Sequence, residues 1–225
     1  MTITAVLRRA GAVLAMVAVA LGGATAAHAQ LNQLTASAQA AILSQPATPF
    51  AGAPNADVTV LVYLDFNCPY CRKIAVTLGQ LTAADPKVRI LYKDWPIFGG
   101  VSVFAARAAL AAQWQGRYLA AHNILIDAPT RLASDTQVRQ RLGLAGVDLG
   151  QLDRDLSLHR SAIDAILARN AMEARALGFS GTPGVVVGGF VVPGALDLDE
   201  MQTLVNAARH PAETSQRTVG PSPDL

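Results

Sequence analysis

The stretch "VTVLVYLDFNCPYCRKIA", residues 58–75, decides the fold. Its first eight residues are nearly all apolar and rich in β-branched side chains, which is typical of a short strand buried on both faces of a sheet. A helix is predicted over residues 69–82, because proline suits the first helical position, where its missing N–H needs no partner. Apolar residues recur along this helix at core-facing spacing, at Ile74, Leu78 and Leu81.

Cys68 and Cys71 are the only cysteines among 225 residues. A disulfide between them would close a very small loop, worth roughly 2 kcal/mol of chain entropy against roughly 3 kcal/mol for a 15-residue loop. The spacing therefore indicates thiol chemistry rather than a structural cross-link.

The position of each cysteine on the helix suggests a division of labour. At the N-cap, the Cys68 sulfur would accept hydrogen bonds from the backbone N–H groups of Tyr70 and Cys71 and would face the positive end of the helix dipole. Arg72 and Lys73 add positive charge nearby. The sequence therefore predicts an exposed Cys68 with a lowered pKa, and a partly enclosed Cys71 that resolves a mixed disulfide.

Other uses of two cysteines at this spacing were weighed. Covalent haem attachment needs histidine directly after the second cysteine, and Arg72 stands there. A structural zinc site needs four ligands, and the remaining histidines lack paired ligand spacing: His122, His159 and His210. Cu(I) is a soft ion that two thiolates can hold, so a copper-binding function stays open.

The N-terminus predicts export. Arg8 and Arg9 precede a long uncharged apolar run, and Ala27-His28-Ala29 supplies a small-residue cleavage site. This pattern is typical of a cleavable signal peptide over residues 1–29 and favours it over an uncleaved anchor. The rest of the chain contains no apolar run long enough to span a bilayer, so we expect a periplasmic protein.

Charge gives little sign of a polyanionic partner. The formal net charge of +2 is accounted for by the two arginines of the signal segment, and the remaining basic and acidic residues balance. Because they are scattered along the chain, neither nucleic acid nor an anionic membrane surface is predicted as a partner.

The order of elements predicts one α/β domain. A short N-terminal segment, 30–53, contains an Ala-rich stretch that could form a helix at 31–43, and "AGAPNAD" (51–57) has the composition of a turn. The domain, 54–210, continues with a strand at 87–94 and a helical insertion over about 101–178. A flexible tail, 211–225, follows.

The strand pattern returns after the insertion. "GVVVGGFVVPG", residues 184–194, predicts a hairpin turning at Gly188-Gly189. Asp197 and Glu200 resemble a capping box that begins a last helix. Strands at both ends of the domain with helices between them indicate one sheet that carries a helical insertion.

Four segments together resemble the DsbA family of thioredoxin-like thiol–disulfide oxidoreductases, and in particular its exported ScsC-like branch. They are "DVTVLVYLDFNCPYCRK", "YKDWPIFGGVSVFAARAALAA", "GTPGVVVGG" and "VPGALDLDEM". The resemblance implies a thioredoxin-like fold in which a helical domain is inserted between an N-terminal βαβ part and a C-terminal ββα part.

The resemblance also implies roles for individual residues. Cys68 would attack and Cys71 would resolve, and the two would form the redox-active disulfide, so that no organic cofactor is needed. Pro183 matches a cis-proline that binds substrate backbone, and Thr182 before it would contribute to redox poise and substrate contact. Pro69 and Tyr70, inside the motif, would tune the thiol, with Tyr70 partly exposed.

Two acidic residues and three aromatic residues allow more than one interpretation. Asp65 ends the first strand, where it could relay a proton to Cys71 or simply face water. Asp94 could serve a similar relay, although a loop-capping role is favoured. The large aromatic side chains are predicted to pack in the core: Trp95, Phe98 and Trp114.

The sequence thus predicts an enzyme that forms disulfides in reduced or misoxidised exported proteins and is reset by a membrane redox partner. A partner-reduced reductase or isomerase remains an alternative in the same chemistry. A monomer is favoured, because the segment before the domain is short, although a helix at 31–43 could mediate association.

Overall fold

The computed structural model describes residues 32–210. The strands there are β1 (Asn32–Gln33), β2 (Phe50–Gly52), β3 (Val58–Leu64), β4 (Val88–Asp94), β5 (Gly184–Val187) and β6 (Phe190–Pro193). The helices are α1 (Ala36–Leu43), α2 (Pro69–Ala84), α3 (Gly100–Ala111), α4 (Tyr118–Ile126), α5 (Asp135–Leu144), α6 (Leu149–Leu158), α7 (Arg160–Ala176) and α8 (Leu198–Arg209), with a 3₁₀ turn at Ala112–Gln115.

All the strands form a single sheet in the order β1-β6-β5-β3-β4-β2. Strands β3 and β4 are parallel and are joined by α2, whereas β5 and β6 form an antiparallel hairpin whose first strand pairs with β3. A βαβ unit, a helical insertion and a ββα unit therefore follow one another, and the predicted fold class is confirmed.

The central strand is buried on both faces, as its apolar sequence predicts. Val60, Val62 and Leu64 point toward α2 and α8, into the larger part of the core. Leu61 and Tyr63 point the other way, toward α1 and α7. Successive side chains alternate across a strand, so one uninterrupted apolar run supplies both cores.

The hairpin β5–β6 places the loop that faces the thiols. Gly188 and Gly189 both have positive φ, 53° and 100°, which is why glycines occupy this two-residue turn. Gly184 begins β5 and lies against the ring of Phe179, where an added Cβ would come within 2.4 Å of a ring atom. The close contact fixes the chain directly after Pro183.

The N-terminal segment is more ordered than its composition suggested. Residues 50–52 form β2, paired with the edge of β4, whereas "AGAPNAD" was expected to be a turn only. The predicted helix at 31–43 begins later, at Ala36, and is preceded by β1, which pairs with β6. These strands form because their backbones pair with exposed edges of the sheet. Segments of two or three residues are too short for a sequence periodicity to predict such pairing.

A buried ion pair explains why this segment docks on the sheet. Lys93 of β4 is 1% exposed and its ammonium lies 3.1 Å from Glu173 of α7. Glu173 also accepts a hydrogen bond from the Tyr63 hydroxyl. Gln45, which follows α1, donates to Glu173 and accepts from Lys93. The segment thus completes the hydrogen bonding of two buried charges, which would otherwise be costly.

Two of the three predicted core aromatics lie at the surface. Trp95 is buried, but Phe98 is 42% exposed and Trp114 is 46% exposed. Trp114 stacks on His159, and Phe98 stacks under Arg131, so each ring is covered by a polar neighbour rather than by the core.

The predicted signal segment, 1–29, and tail, 211–225, lie outside the described residues. Across residues 32–210, none of the helices has both the length and the apolar character needed to cross a membrane.

Candidate active site

Both thiols lie where the end of β3 meets the start of α2. Cys68 is the N-cap, with extended backbone at φ −81° and ψ 121°, and α2 begins at Pro69. The two cysteines are free thiols. Cys71 is 1% exposed, as an enclosed thiol should be, but Cys68 is only 2% exposed, so the prediction of an exposed Cys68 is wrong.

The Cys68 sulfur does not cap the helix in the expected way. It makes no capping hydrogen bond of ordinary geometry, and the Cys71 N–H donates to the backbone carbonyl of Cys68 at 3.1 Å. The Cys68 thiol donates to the backbone carbonyl of Thr182, also at 3.1 Å. This contact turns the sulfur toward the loop that precedes β5 and covers it.

The pKa of Cys68 is nevertheless lowered, from 9.0 to about 6. The main cause is a hydrogen bond from the Cys71 side chain, which stabilises the thiolate more than burial opposes it. Thr182 and the backbone N–H groups of Cys71 and Tyr70 lower it further by smaller amounts. Arg72 and Lys73 point elsewhere, to the carbonyl of Thr130 and to the ring of Tyr70.

The pKa of Cys71 is shifted in the opposite direction. Burial raises it far above its usual range, and the hydrogen bond to Cys68 raises it again, because that bond requires Cys71 to keep its proton. The two sulfurs therefore share one proton unequally: Cys68 is a thiolate near neutral pH and Cys71 remains a thiol.

Thr182 and Pro183 face this pair. The peptide bond between them is cis, as the resemblance implied. The Thr182 hydroxyl is buried and makes no hydrogen bond of ordinary geometry within residues 32–210. It lies close enough to both sulfurs to lower the pKa of each thiol.

An open cleft of about 550 Å³ begins beside the thiols. The walls include Tyr70, Lys73, Thr182, Pro183 and Leu196. Tyr70 is 60% exposed, which agrees with the prediction for this residue, and the Lys73 ammonium lies 5.9 Å from the centroid of its ring. The cleft can therefore receive an extended chain next to Cys68.

Asp65 is not a water-facing residue. It is 1% exposed, and its carboxylate accepts four hydrogen bonds. The donors are the N–H groups of Asn67 (2.8 Å), Ile97 (2.7 Å) and Phe98 (3.0 Å) and the hydroxyl of Ser102 (2.8 Å). This carboxylate organises the loop after β4, and a proton relay through it stays a prediction.

Asp94, at the end of β4, is buried to the same degree but has fewer donors. Among residues 32–210 the donor to its carboxylate is the Tyr118 hydroxyl, at 3.0 Å from one oxygen and 3.1 Å from the other. Burial raises the pKa of Asp94 to about 7. The favoured loop-capping role is not what the structure shows, because the side chain points into the core between β4 and α4; the relay stays a prediction.

Two solved structures share this architecture. A thioredoxin-like oxidoreductase from Silicibacter pomeroyi DSS-3 is 40% identical, with a TM-score of 0.72 over 76% of this chain and 97% of that one. The catalytic domain of Proteus mirabilis ScsC is 28% identical, with a TM-score of 0.67 over 77% and 95%. A thioredoxin family model matches residues 44–207.

The chain belongs to the thioredoxin family. The resemblance to its DsbA-like and ScsC-like members is confirmed by these matches. The chain is also similar to a curated Na⁺/H⁺ antiporter of Mycolicibacterium gilvum, to which it is 27% identical over 161 residues. That match covers 70% of this chain but 26% of the antiporter, so the chain spans about a quarter of the length of the curated relatives that it matches.

Within this thioredoxin-family site, sequence analysis missed Asn67 and Ser102. Asn67 is buried next to Cys68, and its amide exchanges two hydrogen bonds with the backbone of Leu132, at 2.8 and 3.2 Å. It also donates to Ser102, which donates to Asp65. An asparagine directly before the motif was a visible signal, but its partners lie 35 and 65 residues away and could not be identified locally.

Metal ligands are few around the thiols. Within residues 32–210 no group of three or more histidine, cysteine, aspartate or glutamate side chains is arranged to hold a metal ion. His122 is not a surface histidine but lies buried against Tyr92, with ring centroids 4.2 Å apart.

Proposed function

We propose that this protein is an exported thiol:disulfide oxidoreductase that forms disulfides in other exported proteins. The observation that carries the proposal is the opposite shift of two neighbouring pKa values, with Cys68 lowered to about 6 and Cys71 raised by burial. A thiol pair of this kind combines a good leaving thiolate with a protonated partner, which is what disulfide exchange requires.

The proposed cycle begins with the Cys68–Cys71 disulfide. A substrate thiolate attacks the Cys68 sulfur, the internal S–S bond breaks, and Cys71 leaves with the electron pair and takes a proton. A second substrate thiolate then attacks the substrate sulfur of the mixed disulfide, and Cys68 leaves as a thiolate. The substrate loses two electrons and two protons; the protein gains both electrons and one proton, and solvent takes the other.

The direction of exchange follows from the stability of the reduced form. A thiolate with a pKa near 6 is largely ionised at neutral pH, which stabilises the dithiol state and makes the disulfide a stronger oxidant. The Cys71 hydrogen bond is the main source of this stabilisation and is lost when the disulfide forms. We therefore favour oxidation over the reductase or isomerase direction.

The substrate would lie in the cleft beside Tyr70 and Pro183. Its open shape and mixed apolar and charged lining suit an unfolded chain rather than a small cofactor, and the redox group is the cysteine pair itself. Pro69 keeps the helix start rigid, and Thr182 contacts the thiol from the opposite side.

Export is part of the proposal and rests on residues 1–29. Arg8, Arg9 and the Ala27-His28-Ala29 site support delivery to the periplasm, where a membrane redox partner would reoxidise the pair. A monomer is proposed, since β1 and α1, the first elements within residues 32–210, pack on their own domain.

The decisive experiment uses the reoxidised protein and a reduced, unfolded substrate protein whose activity returns on oxidation. Cys68→Ser should abolish recovery, whereas Cys71→Ser, first loaded as a Cys68–glutathione mixed disulfide, should exchange the glutathione for a substrate thiol and accumulate the protein–substrate mixed disulfide. Full recovery with Cys68→Ser would refute the proposal. A reduction potential near that of thioredoxin, about −270 mV, would instead support the reductase direction. Stoichiometric Cu(I) binding without exchange activity would support the copper function.

A further inference from the structure

Two loops are hydrogen-bonded to the residues that flank the redox motif: the loop between α4 and α5 and the loop after β4. Asn67, the residue before Cys68, holds Leu132 through a reciprocal pair of hydrogen bonds. Arg72, in the first turn of α2, donates to the carbonyl of Thr130 at 3.0 Å. The loop between α4 and α5 is therefore fixed to both flanks of the redox motif.

The second segment is the loop after β4, fixed by Asp65. The carboxylate accepts the N–H groups of Ile97 and Phe98, and the backbone carbonyl of the same aspartate accepts the Cys68 N–H at 3.0 Å. One residue thus sets the position of Phe98 relative to Cys68, although the two are 30 positions apart.

The two loops meet at Phe98 and Arg131. The Arg131 guanidinium lies 5.5 Å from the centroid of the Phe98 ring, and the ring remains 42% exposed. A cation over one face of an aromatic ring orients both groups and leaves the rest of the ring open to solvent. We call this pair the insertion wall.

The insertion wall carries positive charge that is not neutralised. Neither Arg131 nor Arg72 forms an ion pair with any described residue. The acidic residues nearest to Arg131 in sequence, Asp127 and Asp135, are exposed but make no contact with it. The buried carboxylate of Asp65 already accepts hydrogen bonds from four donors. A negative charge that arrives from solvent is therefore the complement that this surface lacks.

We propose that the insertion wall is a second substrate-binding surface, which receives an acidic residue flanking the reactive cysteine of an unfolded substrate chain. The chain would pass between Pro183 and Phe98, with its cysteine at Cys68. The inference rests on the proposed disulfide exchange and names the substrate class that this exchange favours: segments in which a glutamate or aspartate adjoins the cysteine.

The test uses the oxidised full-length protein and three reduced peptides that differ only in the residue beside cysteine: glutamate, glutamine or lysine. The wild type should oxidise the glutamate peptide about threefold faster than the glutamine peptide, and the lysine peptide more slowly still. One molar salt should remove most of the difference, because exposed charges are screened. Arg131→Gln should remove it at low salt as well.

Matched variants separate binding from chemistry. Phe98→Ser should slow all three peptides by about fivefold, since half-exposed apolar contact is lost. Arg117→Gln removes another exposed arginine without an ion pair to any described residue, and Leu144→Ser removes an exposed apolar side chain at the far end of α5. Neither control should change the peptide rates, and dithiothreitol should reduce every variant at the wild-type rate.

Each outcome decides a different point. Equal rates for the three peptides in the wild type, or a preference that survives Arg131→Gln, would overturn the inference and leave the exchange activity standing. An equal loss with peptides and with dithiothreitol in Phe98→Ser would also overturn it, because the ring would then act through the thiol. Failure of wild-type protein to exchange with any thiol would refute the proposed function itself.

Discussion

The ends of β3 and β4 lie side by side and carry the same side chain in different surroundings. Asp65 and Asp94 are each 1% exposed, yet within the described part of the chain Asp65 accepts hydrogen bonds from four groups and Asp94 from the Tyr118 hydroxyl alone. Burial raises the pKa of Asp94 to about 7. The comparison teaches that equal burial can leave two carboxylates with very different numbers of hydrogen-bond donors.

The thiols repeat this contrast over a shorter distance. Cys68 receives a hydrogen bond from Cys71 and further support from Thr182, and its pKa falls to about 6. Cys71 is equally buried but must act as the donor, so its pKa rises. Changes that add or remove donors at these four positions test whether one principle covers both regions.

The largest effect is expected for Asp65→Ala. The change leaves the N–H groups of Asn67, Ile97 and Phe98 without their acceptor in the interior and should lower the free energy of unfolding by about 3–5 kcal/mol. Urea denaturation would measure this loss, provided that the dependence of the unfolding free energy on urea concentration has the same slope in both proteins. Asp65→Asn, which keeps one acceptor oxygen, should cost clearly less. A loss below about 1 kcal/mol for the alanine variant would contradict the organising role.

At high pH, Asp94→Asn should raise the free energy of unfolding, whereas Asp65→Ala lowers it. The folded-state pKa of Asp94, about 7, lies above the ordinary pKa of an aspartate, so the folded protein holds this proton more tightly. That contribution is fully present below about pH 4 and is lost as pH rises through 7. The asparagine variant cannot titrate, so its stability relative to the wild type should grow between pH 4 and 8, by about 2–4 kcal/mol.

Denaturation of the two proteins over this pH range isolates the effect. His122, whose pKa burial lowers to about 3, also titrates on unfolding, but it is present in both proteins and cancels in their difference. A difference that stays constant with pH would contradict the raised pKa of Asp94 in the folded protein.

The sequence predicts the elements around the thiols better than the surroundings of the two aspartates, for a physical reason. The strand and helix around Cys68 follow from local patterns, since alternation, helical spacing and Pro69 are short-range signals, and the motif located the thiols. The surroundings of Asp65 and Asp94 depend on Ser102 and Tyr118, which the chain brings together only after the insertion folds. The same limit explains why Phe98 was predicted to be buried and why the Cys71 side chain was not predicted as a donor to Cys68 beside the helix backbone.

The third prediction concerns that donor. Cys71→Ala removes the hydrogen bond that contributes most to the lowered pKa of Cys68, so this pKa should rise by about one to two units. Thiolate absorbance at 240 nm followed against pH gives the value directly, since one thiol remains. Cys71→Ser keeps a donor and should shift the pKa less. An unchanged pKa near 6 in the alanine variant would assign the stabilisation to the helix start instead.

The smallest effect is expected for Thr182→Val. The substitution keeps the shape of the side chain and removes a buried hydroxyl that faces the sulfurs without an ordinary partner within residues 32–210. The pKa of Cys68 should rise by about half a unit, because a weaker donor is lost than in Cys71→Ala. Less thiolate stabilisation destabilises the dithiol, so the reduction potential should become more negative by roughly 10–15 mV.

Thr182→Ser distinguishes the hydroxyl from the rest of the side chain, since it keeps the donor and loses the methyl group. It should leave both the pKa and the potential near the wild-type values, while the valine variant moves both. If serine and valine shift them equally, packing of the loop before β5 sets the thiol pKa and the hydroxyl does not. If neither variant changes the pKa or the potential, the difference between the two thiol pKa values depends on the Cys71 side chain alone. Cys68 would then have one effective side-chain donor, as Asp94 has.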